Sequence, residues 1–245
     1  MWHGDRMPDY DRFARFYDAA MDDPSTRGAR VLGGIRRHLP RASSILELGC
    51  GTGSILAQLT EFPALTGIDR SSEMLAVASQ KVPSARLLCA DIQEFWLEER
   101  FDVVVCVFDT LNHLLTFEAW RSMFDAVYDH LVEDGLFIFD VNTVGELRRL
   151  GDEPPWVFDF DEHVFLLDVS FEGDGLSEWD IRIFEHLGGS GYELHRERIG
   201  ELSVPLGRIR AALAGRFALL EETSESGEIP TDGSIKAYFT YRRAR

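Results

Sequence analysis

Apolar residues recur along the chain with two spacings, one typical of amphipathic helices and the other of buried strands. Residues 9–21 and 26–39 place their apolar side chains three or four positions apart, which predicts two helices. Short apolar runs then alternate with helical patterns. The predicted strands are 43–48, 64–69, 85–91, 101–108 and 136–142, and the predicted helices between them are 53–60, 71–81 and 117–131. This alternation predicts an α/β fold with a doubly wound, mostly parallel sheet.

The pattern changes after the fifth predicted strand. Three consecutive strand-like stretches follow, joined by Gly-rich turns, at residues 162–172, 177–187 and 192–202. Such a meander predicts an antiparallel β insertion. The last predicted elements are a helix at 205–215 and strands at 217–223 and 235–242. The chain therefore returns to the sheet that it left, and the complete sheet is predicted to be Rossmann-like and seven-stranded within one domain.

Composition places the chain among ordinary globular proteins. Its 245 residues, 45% of them hydrophobic, suffice for one α/β domain with a buried core. The apolar runs are shorter than a membrane span and the first residues show no signal-peptide pattern, so we expect a cytoplasmic protein without membrane contact. Cys50, Cys89 and Cys106 form no CxxC pair and lie in or beside apolar segments, which predicts reduced, buried thiols and no metal site.

The stretch "ILELGCGTGS" at residues 45–54 predicts a strand that ends in a glycine turn beside a nucleotide-like ligand. A dinucleotide-binding fold of the NAD type needs G-x-G-x-x-G, and Ser54 stands where its third glycine would be. Glu47 places a carboxylate at the ligand end of the strand. It would repel a pyrophosphate and attract a ligand that carries an ammonium group and a sulfonium. The stretch therefore favours a cation-bearing adenosine ligand.

Two further carboxylates follow the second and third predicted strands. Asp69 is placed to accept two hydrogen bonds from a ribose diol, which fits NAD and S-adenosylmethionine equally. Asp91 can read the amino edge of adenine, with Ile92 and Met74 as apolar walls. Because ligands bind at the carboxyl ends of the strands in open α/β sheets, we expect Glu47, Asp69 and Asp91 to line one site.

Five ordered motifs resemble the class I S-adenosylmethionine-dependent methyltransferases. They are "ILELGCGTG", "LTGIDRSSEMLAVA", "CADI", "FDVVVCVFDTLNHL" and "GLFIFDVNT". The opening element "YDRFARFYDAAM" and the insertion after the fifth strand resemble, more narrowly, bacterial small-molecule methyltransferases that include amino-sugar and glycine N-methyltransferases. The resemblance implies S-adenosylmethionine as the cofactor, S-adenosylhomocysteine as the product and a small molecule as the acceptor. It leaves a homodimer open.

The resemblance also implies a division of labour along the chain and contacts at individual positions. Residues 1–40 would form N-terminal lid helices, 41–145 the cofactor-binding core, 146–203 the insertion over the acceptor site, and 204–245 the final helix and last two core strands. Glu47 and the backbone at Gly49 would hold the methionine amino group, and Arg27 its carboxylate. Asp69 would bind the ribose hydroxyls and Asp91 the adenine. The other predicted cofactor-binding residues are Tyr10, Tyr17, Cys50, Gly51, Gly53, Arg70, Met74, Ile92, Phe108 and Asp109.

Two residues are catalytic candidates. His113 lies just beyond the fourth strand, where a neutral imidazole can take a proton from an amine or hydroxyl acceptor; its alternative role is to orient the loop. Tyr17 would close over the sulfonium together with Tyr10, although both tyrosines could instead form the buried stripe of a helix. Few catalytic groups are needed, because the sulfonium already makes the methyl group electrophilic.

The resulting prediction is methyl transfer to a small-molecule nitrogen or oxygen acceptor by direct in-line displacement. A protein that binds S-adenosylmethionine as a sensor or accessory subunit, without turnover, would carry the same loop and carboxylates. A nucleic-acid methyltransferase is disfavoured by the net charge of -17 and by "FDTL" in place of "[DN]PP[YF]" after the fourth strand. Ser54 disfavours an NAD-dependent oxidoreductase.

Overall fold

The computed structural model describes residues 10–21 and 23–245, so residue 9 of the first predicted helix lies outside the described residues. The elements are α1 (Ala14–Ala20), α2 (Ser25–His38), β1 (Ser44–Leu48), β2 (Ala64–Asp69), α3 (Ser72–Lys81), β3 (Arg86–Cys89), β4 (Phe101–Cys106), α4 (Phe117–His130), β5 (Leu131–Asn142), α5 (Val144–Asp152), β6 (Trp156–Phe160), β7 (His163–Gly173), β8 (Leu176–His186), β9 (Tyr192–Leu202), α6 (Leu206–Leu213), β10 (Phe217–Ser224) and β11 (Lys236–Arg243). Among these described elements, no helix combines the length and apolar character needed to cross a membrane.

Seven strands form the central sheet in the order β10-β11-β5-β4-β1-β2-β3. Strands β1 to β5 pair in parallel, whereas β11 is antiparallel to both β5 and β10. The predicted doubly wound, seven-stranded sheet is therefore confirmed. Because β1 pairs with β2 on one side and with β4 on the other, the strand order reverses there. A crevice opens at such a switch point, at the carboxyl ends of the strands.

Both faces of this sheet are buried, which explains the nearly continuous apolar runs in its strands. On one face, Trp120 and Val127 of α4 pack in a cluster with Val104 of β4. On the other, Ile35 of α2 packs in a second cluster with Val103 of β4. Neighbouring residues of one strand thus enter opposite layers, as the two-residue period of a strand requires.

The antiparallel insertion is a second sheet of four strands in the order β6-β7-β8-β9. Its apolar face forms a third cluster, in which Phe13 and Phe16 of the α1 region meet Leu147 and Leu150 of α5. Phe165 of β7 packs at 5.9 Å, ring centre to ring centre, from Phe13. The N-terminal helix therefore packs against the insertion, which lies far away in sequence.

The structure differs from the sequence patterns in two places. Residues 53–60 form a three-residue 3-10 turn, Leu56–Gln58, rather than an α-helix. Gly53 has a φ of 75°, which an α-helix does not allow. Helix α5 and strand β6 went unpredicted, although Thr143 and Glu146 carry a capping-box signal: the Thr143 hydroxyl accepts the N–H of Glu146 at 3.2 Å.

The expectation of three buried thiols is wrong for one of them. Cys50 and Cys106 are buried, but Cys89 is exposed. Its strand, β3, is the edge strand of the sheet and exposes both of its end residues. An apolar run at a sheet edge keeps one side open to solvent, which the hydrophobic pattern alone does not reveal.

A polar contact set joins α1 to the glycine loop and α3. The carboxylate of Asp18 accepts hydrogen bonds from the Thr52 hydroxyl at 2.6 Å, from the Ser54 hydroxyl at 3.1 Å and from Lys81 Nζ at 2.6 Å. Lys81 also donates to Ser54 at 2.8 Å. These contacts lower the pKa of Asp18 against the opposing effect of its partial burial, so its carboxylate stays ionised at neutral pH. We call Asp18, Thr52, Ser54 and Lys81 the α1 latch.

Asp18→Ala is expected to loosen α1 while the core stays intact. A partly exposed ion pair with its hydrogen bonds contributes about 1 kcal/mol, so amide hydrogen exchange in α1 should accelerate about fivefold. Exchange in β4 should not change. Asp129→Ala, which removes an exposed carboxylate from α4, is the matched control. Equal α1 exchange rates in the two variants would contradict a role for the latch.

Candidate active site

A cavity of about 530 Å³ opens at the carboxyl ends of β1, β2, β4 and β5. The glycine loop and the strand ends form one side of it, and the α1 region and the insertion sheet form the other. The predicted site residues that line it are Tyr10, Tyr17, Arg27, Glu47, Gly49, Cys50, Gly51, Asp69, Arg70, Met74, Ile92, Phe108, Asp109 and His113. The cavity lies at the switch point of the sheet, where the fold leaves room for a ligand.

The glycine loop brings its backbone close to neighbouring side chains. Gly49 has a φ of 67°, and a Cβ added there would meet Cγ2 of Thr110 at 2.3 Å. Glu47, two residues earlier, is buried, and its Oε2 has no hydrogen-bond partner among the described residues. Burial also raises the pKa of Glu47 well above its ordinary value. A buried carboxylate with a free acceptor atom suits a ligand that brings its own ammonium group.

Asp69 lies at the end of β2, and hydrogen bonds from backbone N–H groups hold its carboxylate in place. Its Oδ2 accepts the N–H of Gly51 at 2.8 Å, and its Oδ1 accepts the N–H of Ser71 at 2.9 Å. Each carboxylate oxygen has a further lone pair, so Asp69 can still accept two hydroxyl groups of a ligand. Met74 and Ile92 are buried apolar residues in the wall of the same cavity. The set fits a nucleoside with its ribose on Asp69.

Two predicted residues do not line the cavity. Asp91 lies beside Arg70, with 3.8 Å between Oδ2 and Nε, and its Oδ1 accepts the N–H of Gln93 at 2.9 Å. Gly53 faces α3 instead, where a Cβ would meet Cβ of Ala78 at 3.1 Å. The adenine role of Asp91 and the ligand role of Gly53 therefore stay predictions from the sequence.

The turn after β4 has an unusual backbone. Phe108 and Asp109 have φ values of 62° and 60°, in the left-handed region that non-glycine residues rarely adopt. Both N–H groups donate to the buried carboxylate of Asp140, at 3.3 Å and 2.9 Å respectively. The ring of Phe108 lies under the Arg27 guanidinium, whose central carbon is 4.1 Å from the ring centre. Arg27 Nε is buried and has no hydrogen-bond partner in the described part of the chain.

His113 and Tyr10 form a partly buried pair. Nδ1 of His113 is 3.4 Å from the carbonyl oxygen of Gly200, and its Nε2 is 3.3 Å from the Tyr10 hydroxyl. The Gly200 contact assigns the proton to Nδ1, so Nε2 accepts from Tyr10. Burial lowers the pKa of His113, which keeps the imidazole neutral at neutral pH. Tyr17 packs edge-on against Tyr10, with ring centres 6.1 Å apart.

Sequence reasoning missed three polar residues of this cavity. Lys236 donates to Asp109 and, at 2.9 Å, to Oδ1 of Asn142. Asn142 Nδ2 in turn donates to Oε2 of Glu201 at 3.0 Å. These residues come from β11, β5 and β9, so no motif joins them in sequence. One compositional signal was present, because Lys236 is one of only two lysines in the chain.

A group of three possible metal ligands on the insertion is already paired with an arginine. The ligand atoms of Glu185, Glu193 and His195 lie within 4.8 Å of one another. The guanidinium of Arg15 pairs with Glu185 and reaches His195 Nε2 at 3.4 Å. A cationic side chain therefore already pairs with two of these three residues.

Comparisons with known proteins agree with this geometry. The family model described as a methyltransferase domain matches residues 45–135. The putative methyltransferase YqeM of Bacillus subtilis strain 168 is 34% identical over 200 residues, which are 77% of this chain and 79% of that protein. A dTDP-3-amino-3,6-dideoxy-alpha-D-glucopyranose N,N-dimethyltransferase of Streptomyces fradiae is 35% identical over 111 residues, which are 43% of this chain and 42% of that protein.

A solved structure extends the similarity to the whole fold. An S-adenosylmethionine-dependent methyltransferase from Clostridium acetobutylicum superposes with a TM-score of 0.85 at 26% identity, covering 96% of this chain and 99% of that one. The glycine loop, the carboxylates at the strand ends and these similarities lead to one assignment. The chain belongs to the class I S-adenosylmethionine-dependent methyltransferases.

Proposed function

We propose that this enzyme methylates a small-molecule nitrogen or oxygen acceptor by direct in-line displacement. The observation that carries the proposal is a single cavity that reaches from Glu47 and Asp69 to His113 under the insertion sheet. We expect the cofactor and a small acceptor to lie side by side in it. The relative from Streptomyces fradiae, whose name specifies an amino sugar, supports an acceptor of this size.

The residues of the loop and strand ends would hold S-adenosylmethionine, which supplies an activated methyl group when bound. Glu47 would accept hydrogen bonds from the methionine amino group, and the buried Nε of Arg27 would donate to the carboxylate. Asp69 would bind the ribose diol. Met74 and Ile92 would flank the adenine, with Asp91 at its edge. These roles complement the charges of the cofactor group by group.

The segments around the cavity would exclude water and orient the acceptor. We propose that the helices within residues 1–40 act as a lid, fastened by the α1 latch, with Tyr10 and Tyr17 facing the sulfonium. The insertion within residues 146–203 would cover the acceptor site, because Trp156, Phe165 and Trp179 line the cavity from that side. A dry, enclosed site strengthens every electrostatic contact inside it.

His113 is the proposed base for the acceptor proton. Its Nε2 carries a lone pair and is bonded to the Tyr10 hydroxyl, so a proton from the acceptor can reach it directly or through Tyr10. Its lowered pKa means that the neutral form persists across the neutral range. Activity that depends on this base should fall only when the pH drops below the ordinary histidine range.

Asp69→Ala should weaken binding of S-adenosylhomocysteine by on the order of 2 kcal/mol, the scale for charge-assisted hydrogen bonds. Isothermal calorimetry would then show a dissociation constant about thirty times higher than that of the unmodified enzyme. Asp129→Ala on α4 should bind like the unmodified enzyme. Equal affinities of the Asp69 variant and this control would remove Asp69 from the site.

His113→Ala should lower turnover about a hundredfold or more, the usual contribution of a general base, while affinity for S-adenosylhomocysteine stays unchanged. Turnover is measured as S-adenosylhomocysteine released with an acceptor found in a metabolite panel. His113→Gln serves as the control, because its amide can reach Gly200 but cannot take a proton. Full turnover in the Gln variant would assign His113 a structural role. If no acceptor in the panel causes release of S-adenosylhomocysteine, the result would favour a sensor without turnover.

A further inference from the structure

The cavity contains more acidic than basic side chains. Six carboxyl groups and three basic groups line it: Glu47, Asp69, Asp109, Glu146, Glu201 and Glu225 on one hand, and Arg27, Arg70 and Lys236 on the other. S-adenosylmethionine carries a sulfonium, an ammonium and a carboxylate, so it compensates only one of the excess negative charges. Arg149, just outside the lining, neutralises Glu146, so one carboxyl group remains that is ionised only beside a second cationic ligand.

Three of these six carboxyl groups are paired or hydrogen-bonded to the protein as follows. Asp109 forms an ion pair with Lys236. Glu146 forms a bidentate pair with Arg149, at 2.8 Å to Nε and 2.7 Å to Nη2. Glu225 accepts the backbone N–H groups of Ile235 and Lys236 at 3.3 Å and 3.1 Å. With Glu47 and Asp69 proposed for the cofactor and Glu225 exposed to solvent, Glu201 is the buried carboxyl group left without a cationic partner of its own.

Glu201 is fixed in place and faces the acceptor side of the cavity. It is 4% exposed and follows Gly200, whose carbonyl contacts His113. Lys236 can only donate, so it fixes Oδ1 of Asn142 toward itself and turns the amide nitrogen toward Oε2 of Glu201. Oε1 of Glu201 has no hydrogen-bond partner within the described residues. One oxygen is thus held by the protein and the other is available to a ligand.

The surroundings of Glu201 favour proton uptake by its carboxylate. Trp179, Ile181 and Ile199 of β8 and β9 line the same cavity and keep this end apolar. Burial, reinforced by the nearby charge of Asp109, raises the pKa of Glu201 to about 8. A carboxyl group in this range can exchange a proton with an amine near neutral pH.

We propose that Glu201 binds the ammonium group of an amine acceptor and takes its proton, which makes this enzyme an N-methyltransferase. The proposal rests on the proposed methyl transfer and adds the acceptor class and a catalytic residue. Glu201 takes the proton that the ammonium loses before methyl transfer, and His113 would take the proton that the new methylammonium loses after it. A neutral hydroxyl acceptor would bring no positive charge to Glu201. Lys236 offers no alternative for an anionic acceptor, since Asp109 and Asn142 already occupy it.

The step conserves atoms and charge. The ammonium transfers one proton to Oε1 of Glu201, which leaves a neutral amine with its lone pair free and a protonated carboxyl group. The amine nitrogen then forms a bond to the methyl carbon while the carbon–sulfur bond breaks, and sulfur keeps the electron pair. The products are a methylammonium and neutral S-adenosylhomocysteine. Glu201 releases its proton to solvent when they leave.

Matched acceptor pairs test the chemical class. The full-length enzyme is incubated with S-adenosylmethionine and with amino sugars and sugars, amino acids and hydroxy acids, and diamines and diols. We expect S-adenosylhomocysteine, measured by mass spectrometry, only with amines. We also expect amines, and not their hydroxyl partners, to raise the Tm of the complex with S-adenosylhomocysteine.

Glu201→Gln tests the residue, because its amide keeps the shape and can accept from Asn142 but takes no proton. With the best amine we expect kcat/KM to fall about a hundredfold or more, with affinity for S-adenosylhomocysteine unchanged. Glu197→Gln is the matched control: Glu197 lies on the same strand, and burial raises its pKa too, but it does not line the cavity. This control should keep the kcat/KM of the unmodified enzyme.

The pH profile gives a readout that a structural role would not move. A protonated Glu201 must lose its proton before an ammonium can bind, so kcat/KM for the amine should rise with pH up to about 8. In Glu201→Gln this rise should shift to the higher pKa of the free amine. An unshifted profile would assign Glu201 no role in proton transfer.

Other outcomes overturn the inference in distinguishable ways. Methylation of hydroxyl compounds alone, or neither methylation nor stabilisation by any amine, rejects the amine acceptor while intact binding of S-adenosylhomocysteine keeps the proposed function. Full activity of Glu201→Gln on an amine rejects the proposed role of Glu201. Absence of S-adenosylhomocysteine binding in the unmodified enzyme would instead contradict the proposed function itself.

Discussion

The carboxylate of Asp140 holds the turn after β4 in a conformation on which the whole site depends. Each left-handed non-glycine residue costs on the order of 1–3 kcal/mol, and two N–H bonds from Phe108 and Asp109 to a buried carboxylate offset that cost. The turn directs the Phe108 ring under Arg27 and the Asp109 carboxylate toward Lys236. Because Asp140 belongs to β5, this local geometry exists only when β4 and β5 pair.

Strand β11 supplies the cation that makes this acidic junction stable. It enters the sheet antiparallel to β5 with Lys236 opposite Asn142, which brings the ammonium group to the cavity. Burial works against the charged form of Lys236, but Asp109 and Asp140 outweigh it and raise its pKa. Buried charges persist when they are paired and hydrogen-bonded in this way. The late antiparallel strand therefore completes the site as well as the sheet.

The N-terminal helix connects the two halves of the cavity. Phe13 and Phe16 anchor it in the apolar core of the insertion sheet, and Asp18 anchors it on Thr52 and Ser54 of the glycine loop. Tyr10, just before the helix, reaches His113 between them. One short element thus touches the glycine loop, the candidate base and the insertion sheet.

The sequence by itself determined the doubly wound sheet, the insertion, the family and most of the cofactor side of the cavity. These features depend on local periodicity and on motifs such as the glycine loop, whose backbone geometry is encoded within a few neighbouring residues. Only the tertiary structure brought Asn142, Glu201 and Lys236 together in the cavity, because they meet through strand pairing across dozens of residues. The tertiary structure also gave Ser54 a role that the sequence pattern could not show. Ser54 stands where a dinucleotide pattern has its third glycine, and its hydroxyl fastens α1 to the loop.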